Sequence, residues 1–179
     1  LALMIAAIVA MGSAGAPARA EVFTSSGLTF VAVRDAGNRG ATGAEAPLWP
    51  AWAPPLGAVD HEFGIMRTNV TNSEWIEFVR AYAPYYPGNP NATALKGRWL
   101  QYTGTVGGQP QYQIVAGAEH FSAEMTWRVA ARYANWLHNG RVNEPWAFES
   151  GAYDTSTFGE IMVGGVTMLT DQVTHSPGA

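Results

Sequence analysis

The sequence predicts an α+β domain with two helices, short antiparallel strands and much irregular loop. Three observations support this prediction: an amphipathic run that ends in glycine over residues 125–140, a capping-box pattern that begins at Thr71, and two strand-like runs joined by a glycine-rich loop within residues 99–115. Because the chain has 179 residues, it is long enough for one domain with a hydrophobic core and too short to expect two.

The run 125–140 is predicted to be one capped helix. The residues at i, i+3, i+4 and i+7 are expected to form its buried face, namely Ala130, Tyr133, Ala134 and Leu137, and Trp127 and Trp136 are expected to widen that apolar stripe. Three polar residues fall largely off that face: Arg128, Arg132 and Asn135. Thr126 is expected to cap the first turn through its hydroxyl, and Gly140 to end the helix in the left-handed conformation. Packing explains these residues better than catalysis does.

A second helix is predicted to begin at Thr71. The sequence Thr71-Asn72-Ser73-Glu74 fits a capping box, in which the threonine hydroxyl and the glutamate carboxylate each bond to the other residue's backbone N–H. The expected apolar face follows directly: Trp75, Ile76, Val79 and Tyr82. Pro84 is expected to help end this helix.

Four runs have the alternation or the β-branched and aromatic content of strands: residues 28–33, 62–66, 99–103 and 111–115. Glycines in residues 104–108 allow the positive φ angles that a hairpin loop needs. Residues 37–55 are rich in Gly, Ala and Pro, so they are predicted to be an irregular connection. From Gly151 onward, glycine, threonine and apolar residues alternate, which predicts an extended loop with short strands.

The composition excludes some partners. Charged residues make up 13% of the chain and aromatic residues 12%, with seven tryptophans, a balance that favours an aromatic-rich, loop-heavy domain over a disordered chain. The net charge is −4, so the chain has no basic footprint for nucleic acid.

The N-terminus is typical of an exported protein. Residues 1–11 are an almost unbroken apolar run, and Ala18-Arg19-Ala20 fits a signal-peptidase cleavage pattern. The run is too short for a transmembrane span. We therefore predict a signal peptide over 1–20, truncated at its start, and a secreted or periplasmic location without a transmembrane anchor in this chain. A buried N-terminal helix is the alternative. Two further regions follow, an N-terminal strand with a Gly/Pro-rich connection over 21–56 and the main domain over 57–179.

Candidate catalytic and metal-binding residues are few. The sequence has no cysteine and four histidines: His61, His120, His138 and His175. Asp60 and Glu62 flank His61, but alternation along a strand turns these side chains away from it. The chain has no H-E-x-x-H, C-x-x-C, calcium-loop or G-x-S-x-G motif, and no base can be paired with Ser73 or Ser122. We therefore assign no catalytic, cofactor-binding or metal-ligating residue.

Several segments resemble the sulfatase-modifying factor family, which includes the formylglycine-generating enzymes. Residues 134–140 (ANWLHNG) and 149–153 (ESGAY) are similar to the family's A-N-W-L-H-N-G and E-D-G-A-Y segments in secreted bacterial members. Residues 57–72 (GAVDHEFGIMRTNVTN) resemble its entry strand and helix start, with Asn69 in place of the usual glutamate. Residues 75–79 (WIEFV) resemble the helical segment that follows. The similarity covers roughly residues 57–160.

The resemblance implies a C-type-lectin-like fold of which this chain holds the N-terminal half. The family's R-L-P-T-E-x-E-W and G-N-x-W-E-W segments are missing from this sequence. In catalytic members, the two cysteines that bind copper and the substrate thiol lie in that half, as do the calcium ligands. The resemblance therefore gives this chain no catalytic residue, and copper and calcium are implied only through the missing half.

Two functions are open at this stage. The first is a secreted, non-catalytic binding module for a polypeptide or carbohydrate ligand, which the tryptophans and the absence of cysteine favour. The alternative is the N-terminal fragment of a copper-dependent, cysteine-oxidising enzyme whose thiols lie beyond residue 179. Such a thiol must act as a thiolate, and this chain has none.

Overall fold

The fold was analysed in a computed structural model of the chain. It describes residues 21–34, 36–48, 57–58 and 62–171. The predicted signal peptide lies outside the described residues, and so do Asp60, His61 and His175. Of the described residues, 21–23 and 29–65 belong to one compact unit, and 24–28 and 66–171 belong to a second.

A three-stranded sheet forms in the N-terminal part of the described chain. Its strands are β1 (Val22–Ser25), β2 (Leu28–Val33) and β3 (Phe63–Met66), in the order β1-β2-β3. The strands predicted over 28–33 and 62–66 are confirmed, whereas β1 was not predicted. Within the predicted irregular connection, the described residues 37–48 form neither helix nor strand. Phe23 and Phe30 stack with their ring centroids 5.4 Å apart.

Helix α1 (Asn72–Tyr82) begins with the predicted capping box. The Thr71 hydroxyl accepts from the Glu74 N–H at 3.4 Å, and the Glu74 carboxylate accepts from the Thr71 N–H at 2.7 Å. The predicted apolar face is buried, and Phe78 is buried with it. The helix ends at Tyr82, and the chain continues through a 3-10 turn (Ala83–Tyr85) that contains Pro84.

The predicted hairpin is confirmed, but its loop is shorter than expected. After the short helix α2 (Thr93–Lys96), strands β4 (Leu100–Val106) and β5 (Gln109–Ile114) pair antiparallel. The turn consists of Gly107 and Gly108 alone. Their φ angles are 57° and 80°, and glycine suits both positions because this kind of two-residue turn needs positive φ at each. Gly104 instead lies in β4, beside an irregularity in the strand register.

Helix α3 (Trp127–His138) lies within the predicted run, but its buried face differs from the prediction. The buried residues are Val129, Ala131, Tyr133, Asn135 and Trp136. Tyr133 and Trp136 are therefore buried as predicted, whereas Trp127 remains 41% exposed. Ala130, Ala134 and Leu137 are only half-buried. The predicted hydroxyl cap was also wrong: Thr126 is the N-cap residue, but its exposed side chain accepts no capping hydrogen bond. Gly140 has the expected positive φ of 66°.

The burial pattern of α3 follows from its two neighbours. On one side, Tyr133 contacts Trp75 of α1 edge-on at 5.3 Å. On another side, Asn135 donates to the carbonyl of Phe148 in helix α4 (Pro145–Glu149). Because α1 and α4 pack on different sides, the buried arc is wider than a single stripe and includes Asn135, which the sequence placed off the face.

The chain beyond α4 forms a second hairpin. A 3-10 turn (Thr155–Thr157) precedes strands β6 (Glu160–Val163) and β7 (Val166–Leu169), which pair antiparallel around Gly164 and Gly165. The predicted extended segment with short strands is confirmed. The prediction of two helices was wrong, since the described residues contain four α-helices. The two additional helices, α2 and α4, have four and five residues and are too short to show a helical period.

The core of the second unit is aromatic and centres on Phe78. Its ring lies 4.8–6.1 Å, centroid to centroid, from five others: Trp75, Tyr82, Tyr133, Trp136 and Phe148. Helices α1, α3 and α4 supply these rings, so the core fixes the positions of the three helices. Among the described residues, no helix has the length and apolar character to cross a membrane.

Candidate ligand pocket

A cavity of about 470 Å3 lies beside the N-terminal half of α3, inside the second unit. Its walls combine aromatic and aliphatic side chains with two arginines. We call this cavity the aromatic–arginine pocket. The lining residues are Tyr82, Tyr86, Pro87, Ala94, Thr126, Trp127, Arg128, Val129, Arg132, Thr155, Phe158, Glu160 and Leu169. The volume is in the range typical of small-molecule sites.

Helix α3 sets the spacing of the polar groups. Arg128 and Arg132 are four residues apart, so they lie on the same side of the helix. Trp127 precedes them at the first helical position and remains 41% exposed. It contacts Tyr153 edge-on at 5.3 Å and Phe158 at 6.4 Å. Part of a large indole ring is thus available at the pocket wall.

Arg132 is held in a fixed orientation. Its Nε and Nη2 atoms each donate to the Glu149 carboxylate at 2.8 Å, a bidentate geometry, and Nη1 donates to the Arg128 carbonyl at 3.2 Å. The guanidinium carbon lies 5.9 Å from the Tyr82 ring centroid and 5.7 Å from that of Phe158. The buried Thr155 hydroxyl donates to Glu149. These contacts fix the planar group at the pocket surface.

Arg128 ties the base of the β6–β7 hairpin to α3. It pairs with Asp171 at 2.7 Å and Glu160 at 2.9 Å, and it donates to the Gly159 carbonyl at 2.6 Å. The Asp171 side chain is only 7% exposed. Hydrogen bonds from Arg128 lower the pKa of the Asp171 carboxyl, and Asp171 raises the pKa of Arg128 in turn. Because every residue of β6 and β7 is exposed, we expect this cluster to be the main attachment of the hairpin.

Replacing Arg128 with methionine should loosen the hairpin. Met keeps an unbranched side chain but removes the donors to Asp171, Glu160 and Gly159. Charge-assisted hydrogen bonds contribute roughly 1.5–3 kcal/mol each when buried and less when exposed, so amide exchange in β6 and β7 should accelerate by about tenfold or more. Hydrogen exchange read by NMR measures this. The matched control is Arg98→Met, which removes an exposed pair with Glu124 at 3.5 Å. Equal exchange in the two variants would contradict the assignment.

The same attachment should survive mild acid. The folded-state pKa of Asp171 is lowered below its ordinary value of 3.8. A carboxyl with a lowered pKa contributes stability that is present above the ordinary pKa and is lost as the pH falls through the folded-state pKa. Exchange protection in β6 and β7, corrected for intrinsic rates, should therefore stay constant from pH 7 to about pH 4 and fall only below that. Loss of protection near pH 6 would contradict this.

Tyr82 forms part of the pocket wall as a neutral phenol. Its side chain is buried, and burial raises the pKa of its hydroxyl to about 12. At neutral pH it therefore keeps its proton and cannot act as a base. Its role at the pocket is to supply a ring face that Arg132 covers.

The residues that the sequence singled out as candidates for chemistry are not brought together. The Ser73 hydroxyl donates to the Glu119 carbonyl, and the Ser122 hydroxyl accepts from Asn69 at 3.1 Å. His120 and His138 are exposed. Among the described residues, no group of three His, Cys, Asp or Glu side chains could hold a metal ion.

The pocket was not predicted from the sequence. Arg128 and Arg132 were interpreted only as polar residues off the buried face, and Phe158 and Asp171 were not singled out. The signal that could have found the pocket is the pair of arginines at i and i+4 directly after an N-terminal tryptophan in α3.

Comparison with known proteins identified no relative of this chain. No family model, no curated protein and no solved structure matches this chain. The class that the fold and the pocket define is an α+β domain with an aromatic–arginine pocket.

Proposed function

We propose that this chain is a secreted or periplasmic binding module, built as the N-terminal part of a domain like that of the sulfatase-modifying factors. The aromatic–arginine pocket is its ligand site. The observation that supports this most directly is the exposed ring of Trp127 beside an immobilised Arg132, within a cavity of about 470 Å3. Sites that bind small molecules combine apolar walls with a few fixed polar groups in this way.

Recognition is a better match to these residues than catalysis. The pocket lining contains no histidine, and the chain has no cysteine. Each arginine is paired with carboxylates, and the Tyr82 phenol stays protonated at neutral pH. Paired guanidiniums and a protonated phenol orient and hold a ligand and are poorly suited to act as nucleophile or base. The alternative is the N-terminal fragment of a cysteine-oxidising enzyme whose catalytic cysteines lie beyond residue 179.

Two tryptophans on the surface of the second unit make a matched test. Trp127 is 41% exposed and lines the pocket, whereas Trp146 is 56% exposed and is not among the lining residues. Small probes are titrated into isotopically labelled protein: phenol, indole, benzamidine, benzoate and methyl glucoside. We expect at least one to shift the backbone resonances of residues 126–132. Trp127→Ala should weaken that binding by about tenfold or more, the usual effect of removing an aromatic anchor. Trp146→Ala should leave it unchanged.

Two outcomes would contradict the proposed function. One is that no probe shifts the resonances of the pocket. The other is that the two tryptophan variants bind the probes equally. Circular dichroism and thermal melts of both variants check that a loss of binding does not come from unfolding.

A further inference from the structure

The polar groups of the aromatic–arginine pocket specify a ligand class, and this inference rests on the proposed function. We propose that the pocket takes an uncharged saccharide, bound through ring hydroxyls and an apolar ring face. The chain offers unused hydrogen-bonding capacity of both kinds at the pocket wall, and both arginines of the pocket are already paired with carboxylates. An exposed indole lies beside these groups.

Arg132 has N–H groups that donate to no described residue. A guanidinium carries five N–H groups. Within the described part of the chain, the Arg132 side chain uses three of them, two toward Glu149 and one toward the Arg128 carbonyl. The side chain is only 17% exposed and lines the pocket, so a ligand acceptor is the natural partner for the remaining donors. Donors that stay unpaired while partly buried cost free energy, and an acceptor on a ligand removes that cost.

Acceptors are also present. Glu160 receives the Arg128 contact through Oε1, and no described residue donates to its Oε2 atom. The exposed Thr126 hydroxyl lines the pocket and is not used to cap α3, so it can donate or accept. A ligand that satisfies these groups together must carry several donors and acceptors. Hydroxyls do both, and a sugar ring presents them on adjacent carbons.

The charge balance disfavours ions. The two arginines of the pocket are paired with three carboxylates, those of Glu149, Glu160 and Asp171. An anion would meet guanidiniums that are already neutralised and a carboxylate excess. A cation would have to compete with the guanidiniums that already lie over the rings of Phe158 and Tyr82. The exposed Trp127 ring remains, and an aromatic surface packs well against the apolar C–H face of a sugar.

The test uses the full chain and three kinds of probe. They are neutral disaccharides (cellobiose, maltose and diacetylchitobiose), acidic ones (digalacturonate and a sulfated heparin disaccharide), and a mixture of random heptapeptides. Binding is located by NMR shifts and quantified by calorimetry. We expect a neutral disaccharide to bind at residues 126–132. Because no ligand charge is involved, its affinity should change less than about twofold between about 50 and about 500 mM NaCl.

Three variants sharpen the result. Trp127→Ala should lower the affinity for the neutral saccharide by about tenfold or more, and Trp146→Ala should lower it by less than about twofold. Glu160→Gln keeps an acceptor oxygen but replaces a charge-assisted hydrogen bond with a weaker neutral one, so the affinity for the neutral saccharide should fall by about threefold or more. An acidic ligand would gain affinity in that variant, because a nearby like charge is removed.

Binding of acidic disaccharides or peptides at the pocket, without a neutral saccharide, would overturn the saccharide assignment and leave the binding module intact. A ligand that binds the Glu160→Gln variant more tightly than the wild type would also overturn the saccharide assignment and leave the binding module intact. If neither these probes nor the small aromatic probes bind at residues 126–132, the proposed function fails as well. A neutral disaccharide that binds with the salt and variant pattern above supports both proposals.

Discussion

Replacing Phe78 with alanine is expected to lower the free energy of unfolding of the second unit by about 3–5 kcal/mol. The Phe78 side chain is completely buried, and its ring touches those of Trp75 and Tyr82 in α1, Tyr133 and Trp136 in α3, and Phe148 in α4. Removing it leaves a cavity where three helices meet. Since these rings are already packed edge-on or tilted against one another, we expect little collapse into the space.

Urea denaturation measures this loss. The matched control is Phe121→Ala, because the Phe121 side chain is 51% exposed and its ring contact is with Trp99 alone among the described rings. It should cost less than about 1 kcal/mol. Equal losses for the two substitutions would show that Phe78 is not at the centre of the core. Phe78→Leu should recover part of the loss, because it restores most of the buried apolar volume.

Replacing Asn135 with alanine is expected to cost about 2–4 kcal/mol, although the residue is polar and its neighbours in α3 are apolar. Its side chain is fully buried. Nδ2 donates to the carbonyls of Phe148 and Tyr153 at 3.0 Å each, and Oδ1 accepts from the Tyr153 N–H at 2.7 Å. Alanine would remove all three of these hydrogen bonds, and a buried polar group that loses a hydrogen bond costs about 1–3 kcal/mol.

A second asparagine serves as the control. Asn69 is exposed and donates one hydrogen bond, to Ser122 at 3.1 Å, so Asn69→Ala should change the free energy of unfolding by less than about 0.5 kcal/mol. The Asn135 variant should also disturb the pocket, because Tyr153 packs edge-on against Trp127 at 5.3 Å. The indole resonance of Trp127 should therefore shift in the Asn135→Ala variant. An Asn135→Ala variant as stable as wild type would contradict the role of these hydrogen bonds.

The local features of the chain were predictable from the sequence. The capping box of α1 joins residues three positions apart, and the β4–β5 turn depends on two adjacent glycines. Positions i, i+3, i+4 and i+7 from Trp75 include Phe78, so the same period that predicted the α1 face also points to the central core residue. In each case the residues that determine the feature lie within a few positions of one another, so a local sequence pattern is enough to identify it.

The buried face of α3 was not predictable in the same way. The i, i+3, i+4, i+7 pattern starting at Ala130 is a valid apolar stripe, yet Val129 and Ala131 are more deeply buried. Which stripe is buried depends on where α1 and α4 pack. A buried asparagine adds to the difficulty, because its partners, the carbonyls of Phe148 and Tyr153, are 13 and 18 positions away.

The sequence by itself determined the α+β class, both main helices, the β4–β5 hairpin and the capping box of α1. Only the tertiary structure decided the pocket. Arg128 meets Asp171 across 43 positions, and Arg132 meets Glu149 across 17. The physical reason is range: hydrogen bonds and backbone angles within a turn are set by adjacent residues, whereas a pocket wall forms only where separate elements pack and exclude water from one another.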